Sequence, residues 1–195
     1  MRASKVDNDY EDLLLPLLPA AFRPAKPDSP LVTLAPYFFQ ALSHGGDICE
    51  FGCAGEMLSI PFALAIQALQ IKKRKEAFAF DDFGPNSETF DDLKRWAAII
   101  PVRPISGAPA ETCNLLFNKI SLIWLNLPSM QEMNIVLDSV ASLLDAETII
   151  GVNRLGHPAR PEIAEWAKWM VAEGKLIELS LHPENCTGFF SPAQV

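Results

Sequence analysis

The sequence predicts an α/β protein whose mostly parallel sheet is covered by helices on both faces. Apolar, strand-like segments alternate with helical patterns from about residue 47 to residue 173. One of these segments, ISLIWLN (120–126), is apolar throughout, as expected for a central strand that is buried on both sides. After Gly174, two strand-like segments follow each other with only a short turn between them. Such a connection makes the last two strands antiparallel.

Each element can be placed in order along the chain. Residues 1 to about 30 contain five prolines and predict an extended arm, and a short helix is expected at 31–43. Strands are then expected near 47–52, 76–81, 98–103, 120–126 and 147–153, helices near 56–71, 88–96, 108–117, 129–144 and 159–173, and the terminal hairpin at 175–182 and 186–190. This order divides the chain into an arm with a short helix (1–45) and one α/β domain (46–195).

Composition excludes several classes of function. A chain of 195 residues, 49% of them hydrophobic, can bury one full core. Its formal net charge of -8 argues against a nucleic-acid partner, because phosphate binding requires a clustered basic surface. No apolar run reaches the roughly 20 residues of a membrane span, and the acidic, proline-broken start is unlike a signal peptide. The four cysteines lack paired metal spacing, so we expect reduced thiols in a cytoplasmic protein.

Two segments point to a nucleoside site at one edge of the sheet. DICEFGCAGEMLS (47–59) contains a short strand with Glu50, followed by the glycines Gly52 and Gly55. EAFAFDDF (76–83) is a second strand that ends in Asp81 and Asp82. A glycine turn lets a ligand approach the backbone closely, and an acid at the end of the next strand can accept hydrogen bonds from both ribose hydroxyls.

Four stretches resemble class I S-adenosylmethionine-dependent methyltransferases of the macrocin O-methyltransferase type. They are EFGCAG (50–55), FAFDDFGP (78–85), SGAPAET (106–112) and IWLNLPSMQEMNIVLDSVASLLDAETIIGVN (123–153). The resemblance implies a Rossmann-like, doubly wound sheet of seven strands, mostly parallel, with a C-terminal antiparallel hairpin. It also implies S-adenosylmethionine as the cofactor and a small molecule as the methyl acceptor.

The resemblance assigns roles to six residues at the cofactor site. Glu50, Gly52 and Gly55 would line its methionine and ribose side. Asp81 would hold the ribose hydroxyls, with Asp82 and Phe83 beside the adenine. Structural alternatives stay open, because a strand-end acid at Glu50 can accept backbone hydrogen bonds and an acid at position 81 or 82 can cap a turn. Phe83 can equally be an ordinary core residue.

The chain departs from the family where metal-dependent members place aspartates, after the fourth and fifth strands. Here those positions are Asn126 and Asn153. An amide holds a divalent cation less well than a carboxylate, so we expect no metal. His157, in the loop NRLGHPAR (153–160), is the best candidate for a catalytic base, and the alternative is a loop histidine that faces water.

Three hypotheses of function follow. The first is a metal-independent methyltransferase that acts on an oxygen or nitrogen of a small molecule. The second is a degenerate, non-catalytic protein of the same fold that serves as a binding or assembly subunit. The third is a nicotinamide-dependent oxidoreductase, which the glycine spacing and the terminal hairpin disfavour. The apolar content of the leading arm further predicts a homodimer with the arm at its interface.

Overall fold

The structure is a computed structural model of the chain. It describes residues 13–18, 20, 29–53, 57–70, 75–84, 87–113, 116 and 118–193. The statements below concern these residues.

Seven strands form a single sheet. They are β1 (Asp47–Phe51), β2 (Ala77–Asp81), β3 (Val102–Ser106), β4 (Ile120–Leu125), β5 (Ile149–Val152), β6 (Leu176–His182) and β7 (Thr187–Pro192). Their order across the sheet is β3-β2-β1-β4-β5-β7-β6. β1 to β5 are parallel, whereas β7 is antiparallel to both β5 and β6. The predicted fold, a seven-stranded and mostly parallel sheet ending in an antiparallel hairpin, is therefore confirmed.

Six α-helices accompany the sheet in the described part of the chain. They are α1 (Pro30–Ser43), α2 (Ser59–Ala68), α3 (Glu88–Ala97), α4 (Pro109–Thr112), α5 (Met130–Val140) and α6 (Pro161–Ala172). Serine side chains cap the starts of three of them, with Ser29, Ser87 and Ser129 accepting hydrogen bonds from backbone N–H groups of the first turns. None of these helices combines the length and the apolar character that crossing a bilayer requires.

The core has one layer on each face of the sheet. Buried residues of α1, α2 and α3 cover one face, and those of α5 and α6 cover the other. Alternation along a strand sends neighbours to opposite layers, so Phe189 packs with α1 and Phe190 with α6. β1 and β4 are buried along their whole length, as two-sided covering requires.

The expected position of the third strand, 98–103, was wrong by about four residues. The backbone N–H groups of Ile99 and Ile100 both bond to the carbonyl of Trp96, so this apolar stretch closes α3. The strand begins only at Val102 and includes Pro104. Proline is tolerated there because β3 is an edge strand, paired with β2 alone.

The expected helix at 108–117 is also shorter than predicted. α4 ends at Thr112, whose hydroxyl donates to the carbonyl of Ala108. Beyond it, the N–H of Leu116 bonds to the carbonyl of Cys113, three residues back, where a continuing α-helix would bond four residues back.

The described part of the leading arm packs on the chain's own core. A short 3₁₀ turn, Leu15–Leu17, is flanked by Leu14 and Leu18, which are completely or almost completely buried beside α1 and α2. The arm's apolar surface therefore covers its own domain at these positions, which was the alternative to a role between subunits. Most of the predicted arm lies outside the described residues.

Polar contacts join α1 to the terminal hairpin. Thr33 hydrogen bonds to Thr187 at 3.3 Å, and the amide of Asn185 donates to Thr33 at 3.0 Å. The hydroxyls of Tyr37 and Ser180 also bond, and the Tyr37 ring stacks on Phe189 with centroids 4.0 Å apart. These contacts fix α1 against the terminal hairpin of the sheet.

Candidate functional site

The turn that follows β1 can be formed only by glycine at position 52. Gly52 has φ +87°, a left-handed conformation. A Cβ atom there would lie 2.3 Å from the carbonyl oxygen of Asn126, which is closer than any real contact. The backbone after β4 therefore approaches this turn directly. Gly55, the second predicted glycine, lies outside the described residues.

Glu50 is completely buried, and its carboxylate accepts hydrogen bonds from backbone N–H groups at the start of α2. Its Oε1 accepts from the N–H of Leu58 at 3.0 Å, and its Oε2 accepts from the N–H of Ser59 at 2.7 Å. Burial raises the pKa of Glu50 to about 7, and these two hydrogen bonds partly oppose the rise. The carboxylate thus fixes the helix relative to the glycine turn, as the structural alternative for this residue proposed. Contact of Glu50 with a cofactor stays a prediction.

Asp81 bridges the ends of β2 and β1. Its Oδ2 accepts from the backbone N–H of Cys53, next to Gly52, at 2.7 Å. The side chain is half-buried, so it is partly accessible at the edge where the ribose contact is predicted. Asp82 is exposed, and Phe83 is half-buried and stacks on Phe90 with centroids 4.9 Å apart. Asp81, Asp82 and Phe83 therefore follow one another directly along this edge.

A chain of amide hydrogen bonds connects the ends of β4 and β5 to the glycine turn. The Nδ2 of Asn126 donates to the carbonyl of Gly52 at 3.0 Å, and its Oδ1 accepts from Nδ2 of Asn153 at 3.0 Å. The Oδ1 of Asn153 accepts in turn from the backbone N–H of Arg154 at 2.8 Å. In this series of hydrogen bonds each amide donor faces an acceptor and each amide oxygen faces a donor, so both side-chain orientations are fixed. Sequence reasoning noted the two asparagines but had no signal for their pairing.

This arrangement does not suit a divalent cation. The Asn126 amide directs a donor at a carbonyl oxygen, and a carboxylate in its place would set two oxygens against each other. Its remaining oxygen is already occupied by Asn153. Among the described residues, no group of three or more His, Cys, Asp or Glu side chains is arranged to hold a metal ion.

The loop after β5 contains the predicted base and an unpredicted arginine. His157 is exposed, and its Nδ1 accepts from the N–H of Ala159 at 3.2 Å. Arg154 is half-buried and has φ +61°, one of three non-glycine residues with positive φ in the described ranges. A positive φ strains a non-glycine backbone, and such strain often marks functional positions. The structure thus places His157 three residues beyond Arg154 in the same turn.

Comparison with known proteins supports the fold. No protein-family model matches the sequence, and no curated protein matches it. Among solved structures, the chain is similar to CalS11, a TDP-rhamnose 3'-O-methyltransferase of calicheamicin biosynthesis, with a TM-score of 0.67, 16% identity, and 82% of this chain and 77% of that chain covered. It is also similar to the Podospora anserina methyltransferase PaMTH1 bound to S-adenosylhomocysteine, with a TM-score of 0.60, 16% identity, and coverage of 97% and 88%. An rRNA methylase from Streptococcus thermophilus matches with a TM-score of 0.53 and 11% identity, over 83% of this chain and 96% of that one.

These similarities are to the fold. The chain therefore has the Rossmann-like fold of class I methyltransferases. Two of these proteins are named for acceptors as different as TDP-rhamnose and ribosomal RNA. The methyl acceptor of this protein therefore depends on its own residues and does not follow from the fold.

Proposed function

We propose that this protein is an S-adenosylmethionine-dependent methyltransferase that acts on an oxygen or nitrogen of a small molecule without a metal ion. The observation that carries the proposal is the glycine turn at Gly52, which approaches the end of β4 directly and is joined to Asp81 through the N–H of Cys53. A nucleoside cofactor needs a tight glycine turn at the end of a strand and a neighbouring acid. One of the similar structures contains the demethylated cofactor.

The residues of this chain would divide the work as follows. Gly52 and Gly55 would admit the cofactor to the turn, and Glu50 would position α2 behind it. Asp81 would accept hydrogen bonds from the ribose hydroxyls, while Asp82 and Phe83 would border the adenine. The bound cofactor supplies a methyl group on a sulfonium, whose transfer depends mainly on the alignment of the acceptor.

His157 is the proposed base for the acceptor's proton. The Nδ1 of His157 accepts the N–H of Ala159, so the neutral ring carries its proton on Nε2. Base catalysis by this ring therefore requires the turn to release Nδ1. A lower rate for His157→Gln, with cofactor affinity unchanged, is the expected result.

Calorimetric titration with S-adenosylmethionine and S-adenosylhomocysteine tests the proposal. We expect both to bind, and Asp81→Ala to weaken binding by more than about tenfold, since a hydrogen-bonded, partly buried contact contributes roughly 1–3 kcal/mol. Asp91→Ala, an exposed acid on α3, is the matched control and leaves the affinity unchanged. Absence of binding at about 1 mM cofactor contradicts the proposal.

Metal independence has its own test. We expect cofactor affinity and methyl transfer to be the same in EDTA and in excess Mg²⁺. The paired amides of Asn126 and Asn153 support this expectation, because neither offers a free carboxylate. Activity that disappears in EDTA and returns with Mg²⁺ would overturn it.

A degenerate, non-catalytic binding or assembly subunit is the second candidate function. Two observations favour it: both oxygens of Glu50 are occupied by backbone N–H groups, and an oxygen of Asp81 is occupied by Cys53. Cofactor binding without transfer to any acceptor supports this candidate, whereas turnover rejects it. A cytoplasmic location and a homodimer remain predictions under either candidate. Light scattering of the full chain and of a variant lacking residues 1–30 tests the dimer and the arm's part in it.

A further inference from the structure

The loop that follows β5 holds a positive charge without an obvious structural reason. Among the described residues, no carboxylate is paired with Arg154, although the chain has 24 acidic residues and a net charge of -8. The next acid after Arg154 in the sequence, Glu162, lies 3.6 Å from Arg160, whose guanidinium also donates to the carbonyl of Pro128. Arg154 is half-buried, and a partly buried cation without a partner lacks part of its solvation.

The backbone of Arg154 adds to this cost. Its φ of +61° suits glycine far better than a long side chain. The next residue but one, Gly156, also has positive φ, so the turn itself can be made by glycine. An arginine at such a position that also lacks an ion-pair partner among the described residues is therefore a candidate for binding a ligand.

A series of hydrogen bonds connects Arg154 to the proposed cofactor turn. Three successive hydrogen bonds, each 2.8–3.0 Å, lead from the carbonyl of Gly52 through Asn126 and Asn153 to the N–H of Arg154. The backbone of Arg154 thus lies at the same sheet edge as the glycine turn, where a methyl acceptor must approach. His157 follows in the same turn, with its N–H bonded to the carbonyl of Arg154.

An apolar cavity begins at the following residue. It has a volume of about 420 Å³, between α6 and the hairpin, and its lining includes Leu155, Gly156, Val171, Leu181 and Phe190. This volume suits the body of a small organic ligand. Glu178 and Lys168, which carry opposite charges, both line the cavity, so its lining has no net charge. The loop with Arg154 lies at the end of the cavity that Leu155 and Gly156 form.

We propose that the methyl acceptor is a small carboxylic acid with an apolar body and a hydroxyl or amino group, and that Arg154 binds its carboxylate. A planar guanidinium matches a carboxylate through two parallel hydrogen bonds. The same contact would hold the neighbouring hydroxyl or amino group near His157. This inference rests on the proposed function, because it names the substrate class of that site.

The test compares two probes that differ in charge but hardly in shape. The parent protein, with and without S-adenosylhomocysteine, is titrated with 2-hydroxybenzoate and 2-hydroxybenzamide by calorimetry. We expect the acid to bind at least about tenfold more tightly than the amide. Arg154→Gln should abolish this preference, whereas Arg95→Gln, which removes an exposed charge on α3, should retain it.

Arg154→Gly separates binding from folding. Because glycine relieves the strained backbone, this variant should melt at the same temperature as the parent or higher, and should still lose the preference for the acid. A purely structural arginine would instead lower the melting temperature when removed.

Several outcomes would overturn the inference. They are equal affinity for the acid and the amide, a preference that survives Arg154→Gln, no binding of either probe at about 10 mM, or tighter binding of phenyl phosphate than of the acid. Failure of the protein to bind S-adenosylhomocysteine contradicts the proposed function instead. The two failures are distinct, because the probe titration is also done on the free protein.

Discussion

The two halves of the sheet's carboxyl edge use opposite chemistry. At the ends of β1 and β2, the acids Glu50 and Asp81 each accept backbone N–H groups that shape the glycine turn. At the ends of β4 and β5, the amides Asn126 and Asn153 pair with each other. The same turn is therefore held by carboxylates from one side and by a neutral amide from the other. Of these four side chains, the two carboxylates therefore lie in the half where the cofactor is proposed to bind.

Gly52→Ala should have the largest effect, because both halves meet at this residue. Its Cβ would be forced against the carbonyl of Asn126 in a backbone conformation unsuited to alanine. We expect a loss of on the order of 3 kcal/mol or more in the free energy of unfolding, and loss of cofactor binding. Urea unfolding measures the first effect and calorimetry the second. Gly45→Ala is the control, since nothing lies within 4 Å of the Cβ it adds; equal stability of the two variants would contradict the argument.

The acidic half should make stability depend on pH through Glu50. Its pKa is raised from 4.5 to about 7 in the folded state, so the folded protein binds this proton more tightly than the unfolded chain does. Stability from this group is therefore greatest below about pH 4.5 and falls as the pH rises to about 7, by up to about 3 kcal/mol. Urea unfolding between pH 5 and 8 measures the slope.

Glu50→Gln is the control for that slope. Glutamine cannot titrate, and its NH2 group replaces one of the two oxygens through which Glu50 accepts backbone N–H groups. The variant should be less stable than the parent near pH 5, with a flatter dependence on pH. Identical slopes in the two proteins would show that another group causes the effect.

Asn126→Asp converts the neutral half to the chemistry of the acidic half. The new carboxylate would lose the donor to Gly52 and face its carbonyl oxygen in a site that is 8% exposed. We expect a cost of about 2 kcal/mol at pH 7, with partial recovery below the pKa of the new acid. Chemical denaturation at pH 5 and 8 measures both. A variant as stable as the parent would mean that the amide is not needed.

The reverse change, Asp81→Asn, should have the smallest effect on folding. An asparagine oxygen can still accept the N–H of Cys53, so we expect a change below about 1 kcal/mol in the free energy of unfolding. The two conversions, compared in one buffer, test whether the halves really differ. A larger loss for Asp81→Asn than for Asn126→Asp would reverse the comparison.

Sequence patterns predicted the fold well where apolar segments were long and continuous. ISLIWLN gave β4 almost to the residue, and the short loop after 182 gave the hairpin. The pattern failed at Ile99 and Ile100, because an apolar pair fits a strand and a helix end equally well. Their backbone hydrogen bonds to Trp96, which place them at a helix end, form only in the folded chain. The predicted length of α4 was wrong for a similar reason. The sequence after Thr112 has a helical pattern, but the helix ends at that residue.

The site was less predictable from the sequence than the fold. Local sequence placed Glu50 and Asp81 at strand ends, but the partners of their oxygens come from the loop and the helix start that follow β1. Asn126 and Asn153 are 27 residues apart, and their bond depends on β4 and β5 being neighbours in register. The sequence contains no signal for Arg154, because a positive φ and a missing ion-pair partner are properties of the folded chain.

The bond between Thr33 and Thr187 joins positions 154 residues apart. Helix α1 therefore completes its surroundings only after β7 has been made. During synthesis, part of the apolar side of α1 stays uncovered until β7 has been made, because Phe189 of β7 stacks on Tyr37. Contacts of such long range slow folding, and they leave newly made chains exposed to aggregation. A chain cut before residue 187 should accordingly depend on a chaperone to stay in solution.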